Sequence, residues 1–283
     1  MDSSETGFLD GWVSGSLWDM TGRAKVITFI GAGGKTTCLR SITQEINASG
    51  RRVIATTSTK VFPEKTLQSW ENPCCPPPKE QIAACFWYAK GEEKSGKWVG
   101  PSLEVMDEAI EQDILSFERE DIQVNPKRFW VIEGDGARAQ RLKCWGPQEP
   151  QIPVHSECAV LVSDGGLWGR VLQVDLVHRS ERCPDLLGRV WKAENAWSYF
   201  LTSPVFAPQY EHMSWVILLN CHGEKAENED SGGLVEPLEI LQDLRQTWAE
   251  IQGKAIDPKS RPKHLRVAAG DAKEGKLQWF DLW

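Results

Sequence analysis

A glycine-rich loop between an apolar segment and a helical segment constrains the fold of this chain most strongly. Residues 25–30, KVITFI, are apolar and β-branched, and they run directly into GAGGKTT at 31–37. The pattern from Thr36 to about Ala48 predicts a helix, and RVIATT at 52–57 predicts a second strand. Strand, loop, helix and strand in this order form a βαβ unit, which requires a parallel sheet.

The loop has the parts of a phosphate-binding loop in a shortened form. The usual pattern, G-x-x-x-x-G-K-[ST], would require glycine at the position of Phe29. The remaining glycines still let backbone N–H groups face phosphate oxygens, while a lysine reaches the β- and γ-phosphates and a threonine hydroxyl binds Mg²⁺. Shortened loops of this kind resemble those of the Mur ligases. We predict that ATP or GTP, with Mg²⁺, binds at Gly31, Ala32, Gly33, Gly34, Lys35, Thr36 and Thr37, with Lys35 catalytic and Thr36 a metal ligand.

Two other interpretations of the loop are weaker. A Rossmann motif would need glycine at Thr36, and the second strand ends in threonines rather than in an acid that binds ribose. A glycine turn that binds nothing is the remaining alternative.

An acidic residue at the end of a further strand would complete a nucleotide site. The segment FWVIE at 129–133 is apolar up to Glu133, and Asp135 follows two residues later. Such an acid holds Mg²⁺ or positions a water molecule. We therefore predict Glu133, and as second choice Asp135, as metal ligands and catalytic residues; a solvated acidic turn is the alternative.

Polar residues also end two other predicted strands. Thr56-Thr57-Ser58-Thr59-Lys60 follows the second strand, so Thr59 and Lys60 are candidates for substrate binding, with Lys60 also a candidate catalytic residue. Asn220 ends the segment WVILLN, where GTP-binding proteins place N-K-x-D, and it is a candidate nucleotide-binding residue. The lysine and aspartate of that motif are missing here, so a guanine preference has little support.

Several cations follow the acidic motif along the chain. We predict a site for a small anionic acceptor built from Arg138, Lys143, His178 and Arg179, with Arg141 nearby in sequence. A solvated basic face is the alternative for the arginines and lysine, and a structural role is the alternative for the histidine.

Composition excludes several classes of function. The net charge of −8 argues against a nucleic-acid-binding protein, which needs a basic face. No apolar run approaches the roughly 18 residues of a membrane helix, and the polar N-terminus MDSSETGF does not resemble a secretory signal. We therefore expect a cytoplasmic protein with no membrane partner, in which all eight cysteines are reduced thiols.

The remaining segments predict an α/β protein. Residues 82–90 and 97–100 suggest a hairpin, 103–118 and 234–252 suggest helices, and further strands are expected at 159–163, 171–177, 215–220 and, as the last one, 265–269. We predict one P-loop NTPase-like three-layer domain over 1–283 with a mainly parallel sheet, and with a small subdomain or insertion at about 140–210.

Taken in order, these motifs resemble the YqeC family. They are GAGGKTT, TTSTK, E-x-D-G-A-R followed by Leu142-Lys143, E-P-x-I-P, and Val177-His178-Arg179. Family members are described as accessory factors for selenium-dependent molybdenum hydroxylases. The chain departs from the family pattern at Gly134, where alanine is expected, and after Asn220.

The resemblance implies a nucleotide-dependent protein that helps to mature a selenium-containing molybdenum cofactor or its hydroxylase. It implies nucleotide binding at 31–37, with Thr59-Lys60, Glu133, Asp135, Arg138 and Lys143 in the rest of the site. Two mechanisms remain open: phosphoryl transfer or hydrolysis of the nucleotide, and a non-catalytic switch that delivers cofactor or selenium to a partner hydroxylase. For the switch, the polar loop at 222–233 is the candidate partner-binding element.

Overall fold

The main element of the fold is a ten-stranded sheet. A computed structural model describes residues 11–118, 128–221, 235–255 and 261–283. Within these ranges the strands lie in the order β1 (Val13–Gly15), β15 (Lys276–Asp281), β14 (His264–Asp271), β13 (Ser214–Asn220), β11 (Cys158–Asp164), β2 (Val26–Gly31), β9 (Arg128–Glu133), β3 (Arg52–Thr57), β6 (Cys85–Tyr88) and β5 (Gln68–Glu71). The eight strands from β14 to β5 run parallel, whereas β15 and β1 are antiparallel to their neighbours.

Helices cover both faces of this sheet. The short helix α1 (Leu17–Met20) and α2 (Lys35–Ala48) pack on one face, where Ile42 of α2 shares a buried cluster with Phe29. On the other face lie α3 (Leu103–Glu118), α4 (Ala193–Leu201) and α5 (Pro237–Ala255). Every residue of β2 is buried, as expected of a parallel strand with helices on both sides. The chain is thus an α/β protein with a large, mostly parallel sheet.

The strand order brings the predicted functional segments to one edge of the sheet. Strand β9 lies between β2 and β3, with Glu133 opposite Phe29 on one side and Thr57 on the other. On the far side of β2, Asp164 of β11 lies opposite Asn220 of β13. Because these strands are parallel, their carboxyl ends meet at the same edge, beside the loop that follows β2.

Three predicted segments differ from the structure. The hairpin is formed by β7 (Lys90–Glu92) and β8 (Lys97–Val99), because β6 pairs with β3 and β5 in the main sheet. Within the predicted strand at 171–177, Val171 forms an isolated bridge with Val190, Val174–Leu176 form a 3-10 turn, and only the last residue lies in a strand, β12 (Val177–His178). The segment at 265–269 lies in β14 but is not the last strand, because β15 folds back against it.

In the described ranges, two small sheets lie outside the main one. Strand β10 (Leu142–Lys143) runs parallel to β12, and β4 (Lys60–Val61) pairs with β8. The subdomain predicted at about 140–210 includes β11, which is a central strand of the main sheet. The limits of such a subdomain stay a prediction.

One pair of cysteines contradicts the expectation that every thiol is reduced. Cys144, directly after β10, forms a disulfide with Cys183. The sequence offered no signal for this pair, because its members are 39 residues apart and meet only through the contact of β10 with the segment after β12. The other six cysteines are free, and burial raises the pKa of Cys38 and of Cys158 to about 12.

Candidate functional site

Glycines are required in the loop between β2 and α2 because its backbone takes left-handed conformations. Gly31, Gly33 and Gly34 have φ angles of 94°, 88° and 114°. A Cβ atom at Gly31 would lie 2.3 Å from the carbonyl oxygen of Val162, and one at Gly33 would lie 2.4 Å from the amide nitrogen of Asp164. The loop therefore packs against the end of β11 at a distance that only glycine allows.

The loop leads into the positive end of a helix. Helix α2 begins at Lys35 with Gly34 as its N-cap, and no acidic residue lies in its first turn. The first N–H groups of a helix have no acceptor within the helix, so they and the helix dipole favour an anion in front of them. These features suit an anion, and the loop is two residues shorter than the usual pattern of a phosphate-binding loop.

Lys35 is buried and held at the base of the loop. Its Nζ donates to the carbonyl oxygen of Gly31 at 2.6 Å and lies 3.3 Å from Asp135 Oδ1 and 3.9 Å from Glu133 Oε1. The lysine thus lies between the loop and both acidic residues that the sequence singled out.

Asp135 fixes the start of the loop. Its carboxylate is fully buried and accepts hydrogen bonds from the Gly31 N–H at 3.1 and 3.0 Å and from Trp145 Nε1 at 2.8 Å. Lys143 Nζ lies 3.3 Å from Oδ2. The Asp135 carboxylate is therefore surrounded by N–H donors and by the ammonium groups of Lys35 and Lys143. This environment suits a residue that orients the loop and is less suited to a metal ligand.

Glu133 has a different environment. Its Oε2 accepts a hydrogen bond from the Thr36 hydroxyl at 2.9 Å. Burial raises the pKa of this carboxyl above its ordinary value, and the Lys35 ammonium and the Thr36 hydroxyl partly offset that rise. Nowhere in the described ranges do three or more His, Cys, Asp or Glu side chains converge as around a protein-bound metal ion. Mg²⁺, however, needs only one or two protein ligands together with phosphate and water, and Thr36 with Glu133 provides such a pair.

Asn220 supports the loop from its other side. Its Nδ2 donates to the carbonyl oxygen of Gly33 at 2.9 Å, and its Oδ1 accepts from the N–H of Ala272 at 3.1 Å. Both ends of the amide are therefore engaged within the protein. The predicted contact of Asn220 with a base stays a prediction.

The residues after β3 are only partly in the site. The Thr57 hydroxyl donates to the carbonyl oxygen of Glu133 at 3.0 Å and lies 3.3 Å from the Thr59 hydroxyl. Lys60, by contrast, forms an exposed ion pair with Glu92 of the small sheet. Its predicted part in catalysis or substrate binding would require it to leave Glu92.

The predicted anion-binding cations are divided between two environments. Lys143 is fully buried, and its Nζ also donates to the carbonyl oxygen of Gly136 at 2.6 Å and lies 3.2 Å from Glu149 Oε1. Arg138 and Arg179 line a separate cavity with His178. Burial lowers the pKa of His178, and Lys143, Arg179 and Arg138 lower it further.

Three residues of the site, Asp164, Trp145 and Glu149, were missed in the sequence. Asp164 ends β11 and forms a two-point ion pair with Arg141 beside the loop, in which Arg141 Nη2 lies 3.0 Å from Asp164 Oδ1. The signal for Asp164 was the same as for Glu133, because both end an apolar strand. Trp145 and Glu149 gave no such signal, since they lie in an irregular segment that only the fold brings to Asp135 and Lys143.

The comparisons with known proteins cover the part of the chain that carries this site. A family model described as YqeC protein matches residues 27–181, more than half of the chain. The chain belongs to the YqeC family. The matched region contains the glycine loop, both acidic residues and the cations up to Arg179, whereas Asn220 lies outside it.

A curated relative agrees with this assignment. An Escherichia coli (strain K12) protein named Uncharacterized protein YqeC is 32% identical over 177 residues, which cover 59% of this chain and 62% of that relative. The match therefore spans less than two thirds of the relative's length. No solved structure matches the chain. Neither α5 nor any other helix in the described ranges has the length and hydrophobicity of a membrane span.

Proposed function

We propose that this YqeC-family chain binds a nucleoside triphosphate, ATP or GTP, with Mg²⁺ at residues 31–37. The observation that carries the proposal is the Thr36 hydroxyl 2.9 Å from Glu133 Oε2, beside Lys35 at the start of α2. An N-terminal helix end, a lysine and a hydroxyl–carboxylate pair are the groups that hold a triphosphate and its cation.

Each residue has a distinct task in this proposal. The loop N–H groups orient the phosphates, and Lys35 neutralises charge that develops on the γ-phosphate. Thr36 and Glu133 would hold Mg²⁺, which neutralises phosphate charge and orients the triphosphate for displacement. Asp135 acts as a positioning residue, because it holds the Gly31 N–H and lies beside Lys35.

The proposed cellular role rests on the family. We propose that the nucleotide is used in the cytoplasm to mature a selenium-containing molybdenum cofactor or the hydroxylase that carries it. An enzyme would transfer the γ-phosphate to a small anionic acceptor or to water.

A nucleotide-controlled switch is the second candidate, and one observation favours it. Lys35 is bonded to the Gly31 carbonyl and lies beside Asp135, and Asp135 in turn contacts Lys143. A phosphate that draws Lys35 away would change the charge balance of this buried network. The predicted partner-binding loop at 222–233 lies outside the described residues.

The test is binding of ATP and GTP by calorimetry, with and without Mg²⁺, followed by a turnover assay. Wild type is compared with Lys35→Ala, with Lys35→Met, which keeps the length of the buried side chain, and with Lys94→Ala, an exposed control. We expect Mg²⁺-dependent binding in wild type and Lys94→Ala, and a loss of at least tenfold in both Lys35 variants. Circular dichroism checks that all variants are folded.

The outcomes separate the candidates. Turnover by the isolated protein favours the enzyme, and binding without turnover favours the switch. If neither nucleotide binds to folded wild type, or if the Lys35 variants bind as well as wild type, the loop is not a nucleotide site.

A further inference from the structure

A cavity of about 610 Å³ opens beside β12 and the segment that follows Glu133. Its polar lining includes Arg138, Gln140, Arg179 and Ser180, and its apolar lining includes Val174. Gln140 Oε1 lies 3.1 Å from His178 Nδ1, so the histidine is fixed in the cavity wall. The cavity combines cations, neutral hydrogen-bonding groups and an apolar surface, which is the usual make-up of a small-molecule site.

The charge of the lining favours an anion. Arg179 lies 3.4 Å from Glu149, but that carboxylate is shared with the buried Lys143. Arg138 is exposed, and no carboxylate in the described part of the chain forms an ion pair with it. Glu181 is the acidic residue of the lining, so two arginines face one carboxylate there. Burial lowers the pKa of His178, and the cations Lys143, Arg179 and Arg138 lower it further.

The backbone of the cavity wall is held in an unusual conformation. Arg138, Ala139 and Arg179 have φ angles of 48°, 62° and 58°, in the left-handed region that L-residues rarely adopt. Arg23 is the other non-glycine residue with positive φ in the described ranges. Strained residues of this kind are retained mainly where function requires a particular side-chain placement, and here both arginines of one cavity have this strain.

A line of ion pairs joins this cavity to the glycine loop. Lys35 lies 3.3 Å from Asp135, Asp135 lies 3.3 Å from Lys143, and Lys143 lies 3.2 Å from Glu149. Glu149 then contacts Arg179 in the cavity. The cavity and the loop are therefore separate sites at the two ends of one alternating charge network.

We propose that this cavity binds an organic molecule with an oxyanionic group, of the phosphate or carboxylate type. Arg138 and Arg179 bind the anion, Gln140 and Ser180 supply neutral hydrogen bonds, and Val174 contacts the apolar part. The proposal goes beyond the nucleotide site and does not rest on it, because binding in this separate cavity requires no nucleotide.

The test measures binding of phenyl phosphate and of benzoate to the full chain by calorimetry. Because a phosphate could also enter the glycine loop, wild type is compared with Lys35→Met as well as with Arg138→Ala and Arg179→Ala. Arg182→Ala, an exposed arginine three residues after Arg179, is the matched control. His178 ring resonances, assigned with His178→Gln, report by NMR whether the ligand enters the cavity.

We expect at least one probe to bind wild type, Lys35→Met and Arg182→Ala with equal affinity and to shift the His178 resonances. Arg138→Ala, whose side chain is exposed and whose loss leaves the core intact, should weaken binding about tenfold or more. Binding that is lost in Lys35→Met but kept in Arg138→Ala would place the anion at the glycine loop and overturn the proposal. Absence of binding by both probes would overturn it as well, whereas the ATP calorimetry tests the proposed function independently.

Discussion

Lys35 Nζ lies 3.3 Å from Asp135 Oδ1, with both side chains almost wholly removed from solvent. The same carboxylate is 3.3 Å from Lys143 Nζ. One buried aspartate therefore balances two buried lysines and also fixes the Gly31 N–H of the loop. The site depends on this carboxylate even though nothing places it against a phosphate.

Replacing Asp135 with asparagine should be strongly destabilising. The change keeps the side-chain volume but removes the carboxylate nearest to Lys35 and one of the two carboxylates that pair with Lys143. Breaking a buried ion pair costs about 3–5 kcal/mol. Urea unfolding of Asp135→Asn should show a loss of this size. Asp185→Asn, at an exposed position, should change stability by less than about 0.5 kcal/mol. Equal free energies of unfolding for the two variants would show that Asp135 does not stabilise the fold through its ion pairs with Lys35 and Lys143.

Gly33→Ala should abolish nucleotide binding and destabilise the fold. A Cβ atom there would meet the Asp164 backbone at 2.4 Å, in addition to the strain of a φ of 88°. Gly50→Ala is the matched control, because Gly50 also has a positive φ, 77°, but no atom within 4 Å of the added Cβ. We expect Gly50→Ala to cost only the left-handed strain of about 1–2 kcal/mol and to bind nucleotide normally. Thermal unfolding measures the stability of both variants, and calorimetry measures their ATP binding. If Gly33→Ala and Gly50→Ala were equally stable and bound ATP equally well, the close packing of the loop on β11 would be contradicted.

His178 should make stability depend on pH in the acidic range. Its pKa in the folded state lies below 6.5, so below that pH the unfolded chain binds a proton that the folded chain does not. The stability this contributes is complete above pH 6.5 and is lost as the pH falls towards the folded pKa. The free energy of unfolding of wild type should therefore fall more than that of His178→Gln between pH 7.5 and pH 5.5, because the other histidines contribute equally to both.

An NMR titration of the His178 ring gives an independent measurement. A midpoint at or above 6.5 would contradict the effect assigned to burial and to the neighbouring cations Lys143, Arg179 and Arg138.

Because Cys144 and Cys183 form a disulfide, we predict the number of reactive thiols and the loss of stability on reduction. Of the eight cysteines, six should react with a thiol reagent in unfolded protein before reduction and eight after it. Reduction should lower stability by about 2–4 kcal/mol, because the bond closes a loop of 39 residues in the unfolded chain. A variant with both cysteines changed to serine should not respond to reductant. Eight reactive thiols without reduction would restore the expectation of a fully reduced protein.

Local patterns in the sequence were sufficient for the elements that carry the loop. The apolar segments around β2, β3 and β9 and the periodicity of α2 predicted these elements to within one residue at each end. Parallel strands buried on both faces give long apolar runs, and the glycines and Lys35 occupy fixed positions relative to such a run. The acid at the end of β9 was predicted for the same reason.

Segments whose structure depends on distant partners were not predictable in this way. The apolar residues at 171–177 suggested a strand, but Val171 forms only an isolated bridge with Val190, and Val174–Leu176 form a 3-10 turn. Val177 alone among them pairs within a strand, with β10. Strand β15 was missed because an antiparallel edge strand is defined by the strand it pairs with. The disulfide was missed because a sequence does not specify which cysteines meet.

The sequence by itself determined the α/β class, the family and the glycine loop with its lysine, threonine and glutamate, because each is encoded within a few consecutive residues. The tertiary structure alone decided what the other charged residues do. It buried Lys143 between Asp135 and Glu149, turned Lys60 towards Glu92, and placed Arg138 with Arg179 in one cavity. The reason is physical: the role of a charge depends on its burial and on its nearest opposite charge, and both are set by the packing of segments far apart in the chain.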